Sequence, residues 1–264
     1  MPDSLLYVAA GLLVGANVGL TGVGGGSLMT PILVLLFGQS PAVAVGTDLV
    51  FAATTKLAAT VSFGYSRRVD WRIVGRLALG SLPGAGATIL WFWLTRRAPG
   101  AVDHVIVHCL AAMLMLTGLG LLMQGVLQRS RIRARLASFP LVQKWKPVVT
   151  VAIGLLLGVA VTLTSVGAGA LGTVALLYLY PIRLSTDRLV ATDIAHALPL
   201  TIIAGIGHAS LGHVNFPALG YLLLGSIPGV LIASHTMIRL PQAITRTLLA
   251  LMLIVVGGRL LFAG

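Results

Sequence analysis

Thr21-Gly22-Val23-Gly24-Gly25-Gly26-Ser27-Leu28 occurs almost a second time in this chain, as Thr164-Ser165-Val166-Gly167-Ala168-Gly169-Ala170-Leu171. That duplication decides the fold. The match reaches back to Gly11-Leu12-Leu13-Val14-Gly15 and Gly154-Leu155-Leu156-Leu157-Gly158, and pairing residues 11–28 with 154–171 gives 11 identities in 18 positions. After a two-residue insertion it resumes. Thr47-Asp48 opposes Thr192-Asp193, and Gly80-Ser81-Leu82-Pro83-Gly84 opposes Gly225-Ser226-Ile227-Pro228-Gly229. A repeat built on glycine-broken apolar segments is the mark of a secondary transporter, with its site where the halves meet.

Composition names the solvent. The 264 residues are 57% hydrophobic and 9% charged, without a single glutamate, and the mean hydropathy is +1.00. A water-soluble domain averages about 25% charged residues. Apolar runs long enough to cross about 30 Å of hydrocarbon follow one another, so the chain is expected to be an all-α membrane protein, because lipid leaves backbone polar groups no outside partner. The net charge of +12 does not point to nucleic acid, since the arginines sit in short loops between apolar runs. The first apolar run lacks a basic leader and reads as part of the repeat, not as a cleaved signal. The lone Cys109 excludes an internal disulfide.

The apolar segments are 5–22, 26–38, 42–63, 72–95 and 103–127, then 148–165, 169–181, 188–209, 217–238 and 243–262. They divide the chain into a first transmembrane repeat (1–127), a basic cytoplasmic linker (128–147) and a second repeat (148–264). The Arg-rich start of the linker suits a short amphipathic helix on the membrane surface. Segments 26–38 and 169–181 are too short to span. Each half therefore reads as a glycine-tipped helical hairpin plus three transmembrane helices. If each hairpin returns the chain to its starting side, Arg67, Arg68, Arg72, Arg76, the six linker cations, Arg183, Arg188, Arg239 and Arg246 share one face. Only Arg96, Arg97 and Arg259 fall on the other. The positive-inside rule then puts both termini outside, and the odd number of passes inverts one half against the other. Trp71, Trp91, Trp93 and Trp145 flank segments as interfacial anchors.

Two constellations carry chemistry. The first is the pair of glycine loops, Thr21, Gly22, Gly24, Gly25, Gly26 and Ser27 against Thr164, Ser165, Gly167, Ala168 and Gly169. Each opens a short helix, whose first amides lack intrahelical partners and sit at the positive end of the macrodipole. Two such starts facing each other near the midplane make an anion site. The plainer reading is that the glycines only let helices pack closely. A nucleotide loop is excluded, because no strand–helix alternation surrounds it. The second constellation is charge inside apolar runs: Asp48 and Lys56 on segment 42–63, Asp193 and His196 on segment 188–209. A charge at the centre of a membrane helix costs about 2.5–3.5 kcal/mol or more and needs a partner or a function. Lys56 has the sign to hold an anion. Asp48, Asp193 and His196 read as a coupling or polar network, with a purely structural network of aspartates on backbone amides as the rival. His104 and His108, and His208 and His213, lie near outer edges, and no metal set assembles among them.

With these residues in place, the chain resembles the sulfite exporter TauE/SafE family of membrane permeases. The resemblance rests on residues 21–31, on Ala44-Val45-Gly46-Thr47-Asp48-Leu49, on Val69-Asp70-Trp71, and on Gly80-Ser81-Leu82-Pro83-Gly84 with its echo. It covers the chain outside the linker. Many members carry serine where this chain has Asp48 and Asp193. The resemblance implies transport of small sulfur-containing anions such as sulfite, thiosulfate, sulfate or organosulfonates, and a bacterial inner-membrane location.

The expected protein is a non-enzymatic, cofactor-free exporter of such anions, its partners the anionic substrate and the lipid bilayer, working by alternating access of two inverted repeats. An interior-negative potential gives a departing monoanion about 2.3 kcal/mol per 100 mV. The alternatives are a proton- or cation-coupled importer, and a metal-cation carrier using Asp48, Asp193 and His196. A passive channel, or an intramembrane enzyme with a His196–Asp193 acid–base pair, is a further rival. The sequence sets no oligomeric state, and a homodimer is compatible with it.

Overall fold

The computed structural model describes residues 2–21, 26–63, 69–95, 101–127, 140–167, 169–181, 183–235 and 242–263. Ten α-helices and no strands are present among them: α1 (Pro2–Thr21), α2 (Gly26–Leu35), α3 (Pro41–Phe63), α4 (Trp71–Thr95), α5 (Ala101–Leu127), α6 (Pro140–Thr164), α7 (Ala170–Leu179), α8 (Thr186–Ser210), α9 (Phe216–His235) and α10 (Gln242–Ala263). Five stretches are long and apolar enough to cross a membrane: Trp71–Thr95, Asp103–Gln124, Trp145–Thr164, Arg188–Ser210 and Phe216–Ala233. The protein is thus a multi-pass helical membrane protein. Helix α6 starts at Pro140, eight residues ahead of apolar segment 148–165. Lys144, Trp145 and Lys146, at the end of the basic linker, are thus helical. Helices α2 and α7 have 10 residues each, about 15 Å of rise, half of a hydrocarbon core.

Glycine seams decide which helices touch. A Cβ on Gly11 would run into the Leu222 carbonyl oxygen, on Gly15 into Ser226, on Gly19 into Val230. The contacts climb together, so α1 and α9 lie backbone to backbone and run the same way. The same seam recurs between α6 and α4, where Gly154 meets Leu77 and Gly158 meets Ser81. Gly80 and Gly84 return the approach from α4, as Gly225 and Gly229 do from α9. In lipid no hydrophobic force draws helices together, and small residues supply the close packing instead.

Two further pairs run in opposite directions. Gly118 faces Ala250 and Ile254 while Gly257 faces Ala111, which sets α5 against α10. Gly46 faces His213 while Gly205 faces Val50, which sets α3 against α8. Helices α3 and α8 form the centre; Arg188–Ser210 is 61% buried, against 39–44% for the other four spans. The periphery is apolar and open, with Leu13, Leu79, Leu156 and Leu224 all exposed, as a lipid-facing surface requires. Trp71, Trp91, Trp93 and Trp145 are exposed as well.

Short polar ties fix the central helices at their ends. Asp70 precedes α4 and accepts the Ile73 amide on its Oδ1 (3.4 Å), and Asn215 precedes α9 and accepts the Ala218 amide (3.1 Å). Both are N-caps, filling donors that a helix start leaves open. Their own amides donate to threonines of the central helices, Asp70 to Thr192 (3.1 Å) and Asn215 to Thr47 (2.9 Å).

Candidate functional site

Asp48 is the eighth residue of α3 and Asp193 the eighth of α8. Both are buried, as are Lys56, His196, Ser81, Ser226, Thr55, Thr164 and Ser165. Buried in an otherwise apolar bundle, each of these side chains needs a polar partner.

Helix α2 supplies the partner of Asp48. The Thr30 amide donates to Asp48 Oδ2 at 3.1 Å and the Thr30 hydroxyl donates to the same oxygen. Oδ1 is buried and accepts no hydrogen bond. The buried Ser165 hydroxyl adjoins this carboxyl from the loop between α6 and α7. Ser165 has φ 58, a left-handed conformation uncommon for a side-chain-bearing residue. Gly167 (φ 113) and Gly169 (φ 146) complete the turn. Thr164 spends its hydroxyl on this turn, donating to the Ala160 carbonyl (2.7 Å) and accepting the Val166 amide (3.1 Å).

Asp193 is held differently. The Thr173 hydroxyl of α7 approaches its Oδ2 at 3.4 Å, a long and weak bond. A Cβ on Gly172 would collide with its Oδ1, so the carboxyl lies against bare α7 backbone. Oδ1 accepts no hydrogen bond. The Lys56 ammonium lies within electrostatic reach of both Asp193 and Asp48. His196 feels Lys56 as well, and its Nε2 shares a 2.8 Å hydrogen bond with Ser81 Oγ. At the position that repeats Ser81, Ser226 Oγ shares a hydrogen bond with Thr55 Oγ1 (3.1 Å).

The structure therefore gathers Asp48, Lys56, Asp193, His196 and Ser165 in one buried polar layer. Gly22, Gly24, Gly25 and Ala168 lie outside the described residues, and Thr21, Gly26 and Ser27 are described only by their places in α1 and α2. Sequence reasoning passed over Thr30, Thr173, Ser81 and Ser226. A signal was present: each is a hydroxyl inside an apolar run, and each recurs at its repeat position. Asp48 thus takes two donors from Thr30, within the short helix α2.

Nearer the α4–α5 and α8–α9 turns, His208 Nε2 shares a hydrogen bond with the Thr162 carbonyl (2.9 Å) and its ring lies 5.6 Å from that of His213. Burial pushes the His213 imidazole below its usual range, and the nearby Asp103 pulls it partly back. Among the described residues no group of three or more His, Cys, Asp or Glu side chains forms a metal set.

A helical bundle with polar groups buried at its centre is the build of a membrane transporter. Residues 7–260 match the sulfite exporter TauE/SafE family, and the chain belongs to that family. It is 39% identical to the "Probable membrane transporter protein YjnA" of Bacillus subtilis, over 98% of this chain and all of that one. It is 24% identical to the "Probable membrane transporter protein YdhB" of the same organism, again over 98% of this chain and the whole of the relative. A "Probable membrane transporter protein" of Xylella fastidiosa is 26% identical over 85% of this chain and 81% of its own length. No solved structure matches the chain. The family carries the name of a sulfite exporter, and these relatives carry the name of probable membrane transporters.

Proposed function

We propose that this protein is a secondary transporter that exports small sulfur-containing anions, such as sulfite or organosulfonates, by alternating access of two inverted repeats in a bacterial inner membrane. The observation that carries the reading is Lys56, a lysine only 3% exposed within the central polar layer of an otherwise apolar bundle. A cation there is costly unless it serves a partner or a ligand. The family's name supplies the sulfur oxyanion.

Inversion of the halves is supported by helix directions. The α1–α9 and α4–α6 seams each join the halves in parallel, while α3 against α8 and α5 against α10 are antiparallel. A pseudo-two-fold axis in the membrane plane would generate that pattern. The repeats would be 1–127 and 148–264, with the basic linker inside and both termini outside. The anion would rest on Lys56 and on the loops 21–27 and 164–169. In the second loop Ser165 is the better donor, because the Thr164 hydroxyl is taken by Ala160 and Val166.

The test is flux in proteoliposomes. Vesicles loaded with 35S-labelled sulfite, thiosulfate or sulfoacetate should lose label saturably, and an inside-negative potential should speed the loss unless a cation travels too. Release of none of the three rejects the substrate class. A second reading, cation-coupled transport, draws on one observation: the layer holds two carboxylates and one ammonium.

A further inference from the structure

One imidazole in the central layer carries a hydrogen that the protein itself does not use. His196 is 1% exposed. Its Nε2 shares a 2.8 Å hydrogen bond with Ser81 Oγ, while its Nδ1 is buried with no partner. Hydrogen-bond accounting says which nitrogen holds the proton. Thr55, Thr88 and Thr201 donate their hydroxyl hydrogens to the carbonyl one turn back. Among the described residues the Ser81 hydroxyl meets no such carbonyl, and His196 Nε2 is its one partner. Were Nε2 protonated, the Ser81 hydrogen would have no acceptor and Nδ1 would hold a bare lone pair. With Ser81 donating to Nε2, one mismatch remains instead of two: an Nδ1–H with nothing to receive it.

The other half has the serine but not the imidazole. Ser226, the twin of Ser81, donates to Thr55 Oγ1 (3.1 Å), because the Thr55 hydrogen is already on the Phe51 carbonyl (2.7 Å). Phe51 stands where the repeat would put His196.

We propose that His196 Nδ1–H is a substrate contact: Ser81 fixes the tautomer, and the hydrogen is held for an oxygen of the transported anion beside Lys56. This rests on the anion-transport reading above and names a donor for it. His196 and Asp193 are three residues apart on α8 and share a face, and Lys56 lies within electrostatic reach of both. The ammonium also faces two carboxyls, so by itself it does not favour an anion over a cation. An N–H does, because it bonds only to an acceptor. A metal ion or a migrating proton needs a ring lone pair, and Ser81 occupies the one that this tautomer has. A second proton on the ring would set a cation near Lys56 in an apolar surround. Asp193 Oδ1, a candidate acceptor on the same face, lies against Gly172 of α7 and accepts no hydrogen bond.

Two measurements test the assignment. The first is NMR of protein labelled with 15N in its six histidines, the His196 signal being the one lost in His196→Phe. Wild type without substrate should show a protonated Nδ1 and a bare Nε2. Thiosulfate or sulfite should move the Nδ1–H resonance saturably, and Ser81→Ala should let the second tautomer appear. An Nε2–H tautomer in wild type, or a resonance that neither anion moves, overturns the proposal. The second is 35S-thiosulfate exchange in proteoliposomes. His196→Asn keeps an N–H near the place of Nδ1 and should retain most of the affinity. His196→Gln reaches only toward Ser81, and His196→Phe installs the residue of the other half. Both should raise KM about 10- to 100-fold, the worth of a hydrogen bond to a charged partner, and Ser81→Ala should raise it less. Gln serving as well as Asn, or a KM that no variant changes, overturns the proposal. If no label is exchanged while the tautomer and its anion-induced shift are found, the transport reading falls and the His196 contact stands.

Discussion

Thr47 and Thr192 are bonded alike in both halves, whereas their next neighbours, Asp48 and Asp193, are held differently. Each threonine receives the amide of a capping residue, Asn215 in one case and Asp70 in the other. Beside them, Asp48 is gripped by an amide and a hydroxyl from α2, and Asp193 only loosely by a hydroxyl from α7. The scaffold has kept its symmetry and the buried charges have lost theirs. Lys56 and His196 have no counterparts: Thr201 and Phe51 stand at their repeat positions. On the proposed anion-carrier reading one central cation suffices, and a second at the symmetric place would add desolvation cost without a second ligand to offset it.

The symmetric part should be the most fragile to bulk. Leucine at Gly15 would drive into Ser226 backbone, and leucine at Gly158 into Ser81 backbone. Neither neighbour can step aside, so each change should cost more than about 3 kcal/mol. Detergent thermal melts should show equal losses for the two. Unequal losses would break the symmetry of the seams.

Next in size is Lys56→Met. Removing the cation strands Asp193 in an apolar surround, at a cost on the order of 3 kcal/mol. Combining it with Asp193→Asn should recover most of the stability and none of the transport. If Asp48→Asn rescues Lys56→Met equally well, the two acids are interchangeable as partners of Lys56.

The threonines that hold the acids sharpen the same point. Thr30→Val deletes a hydrogen bond to a buried carboxyl and should cost about 1.5–3 kcal/mol. Thr173→Val removes a 3.4 Å contact and should cost under about 0.5 kcal/mol. Chemical denaturation of both variants gives the comparison directly.

The duplication made much of this legible in the sequence. The glycines of residues 11–28 and 154–171 marked the break between long and short helices, and burial at the eighth residue of α3 and α8 followed from charge inside apolar runs. Partner choice was not legible. Periodicity says which face of α1 is small, not that α9 of the other half fills it. Nor could the repeat offset reveal that Ser165 meets Asp48, because an offset relates a residue to its twin and not to its neighbour. That α6 begins ahead of the apolar run 148–165 was not legible for a simpler reason: lysines mark a polar stretch, yet a helix can carry such residues at a membrane edge.

The smallest effect concerns the ends of α4 and α9. Asp70 differs from its twin Asn215 by one charge, and that charge receives Arg183 Nε at 2.7 Å. Arg183 is 45% exposed in its side chain, so the pair should contribute no more than about 0.5 kcal/mol and fade with salt. Asp70→Asn keeps the capping oxygen and should melt within a degree or so of wild type, the gap closing at high ionic strength. Asp70→Ala loses the cap too and should cost about 1 kcal/mol, as Asn215→Ala should. If Asp70→Asn instead slowed anion release while leaving the melt alone, Arg183 would be acting as a latch on one face of the membrane. The asymmetry of the charged layer would then extend to the ends of the transport path.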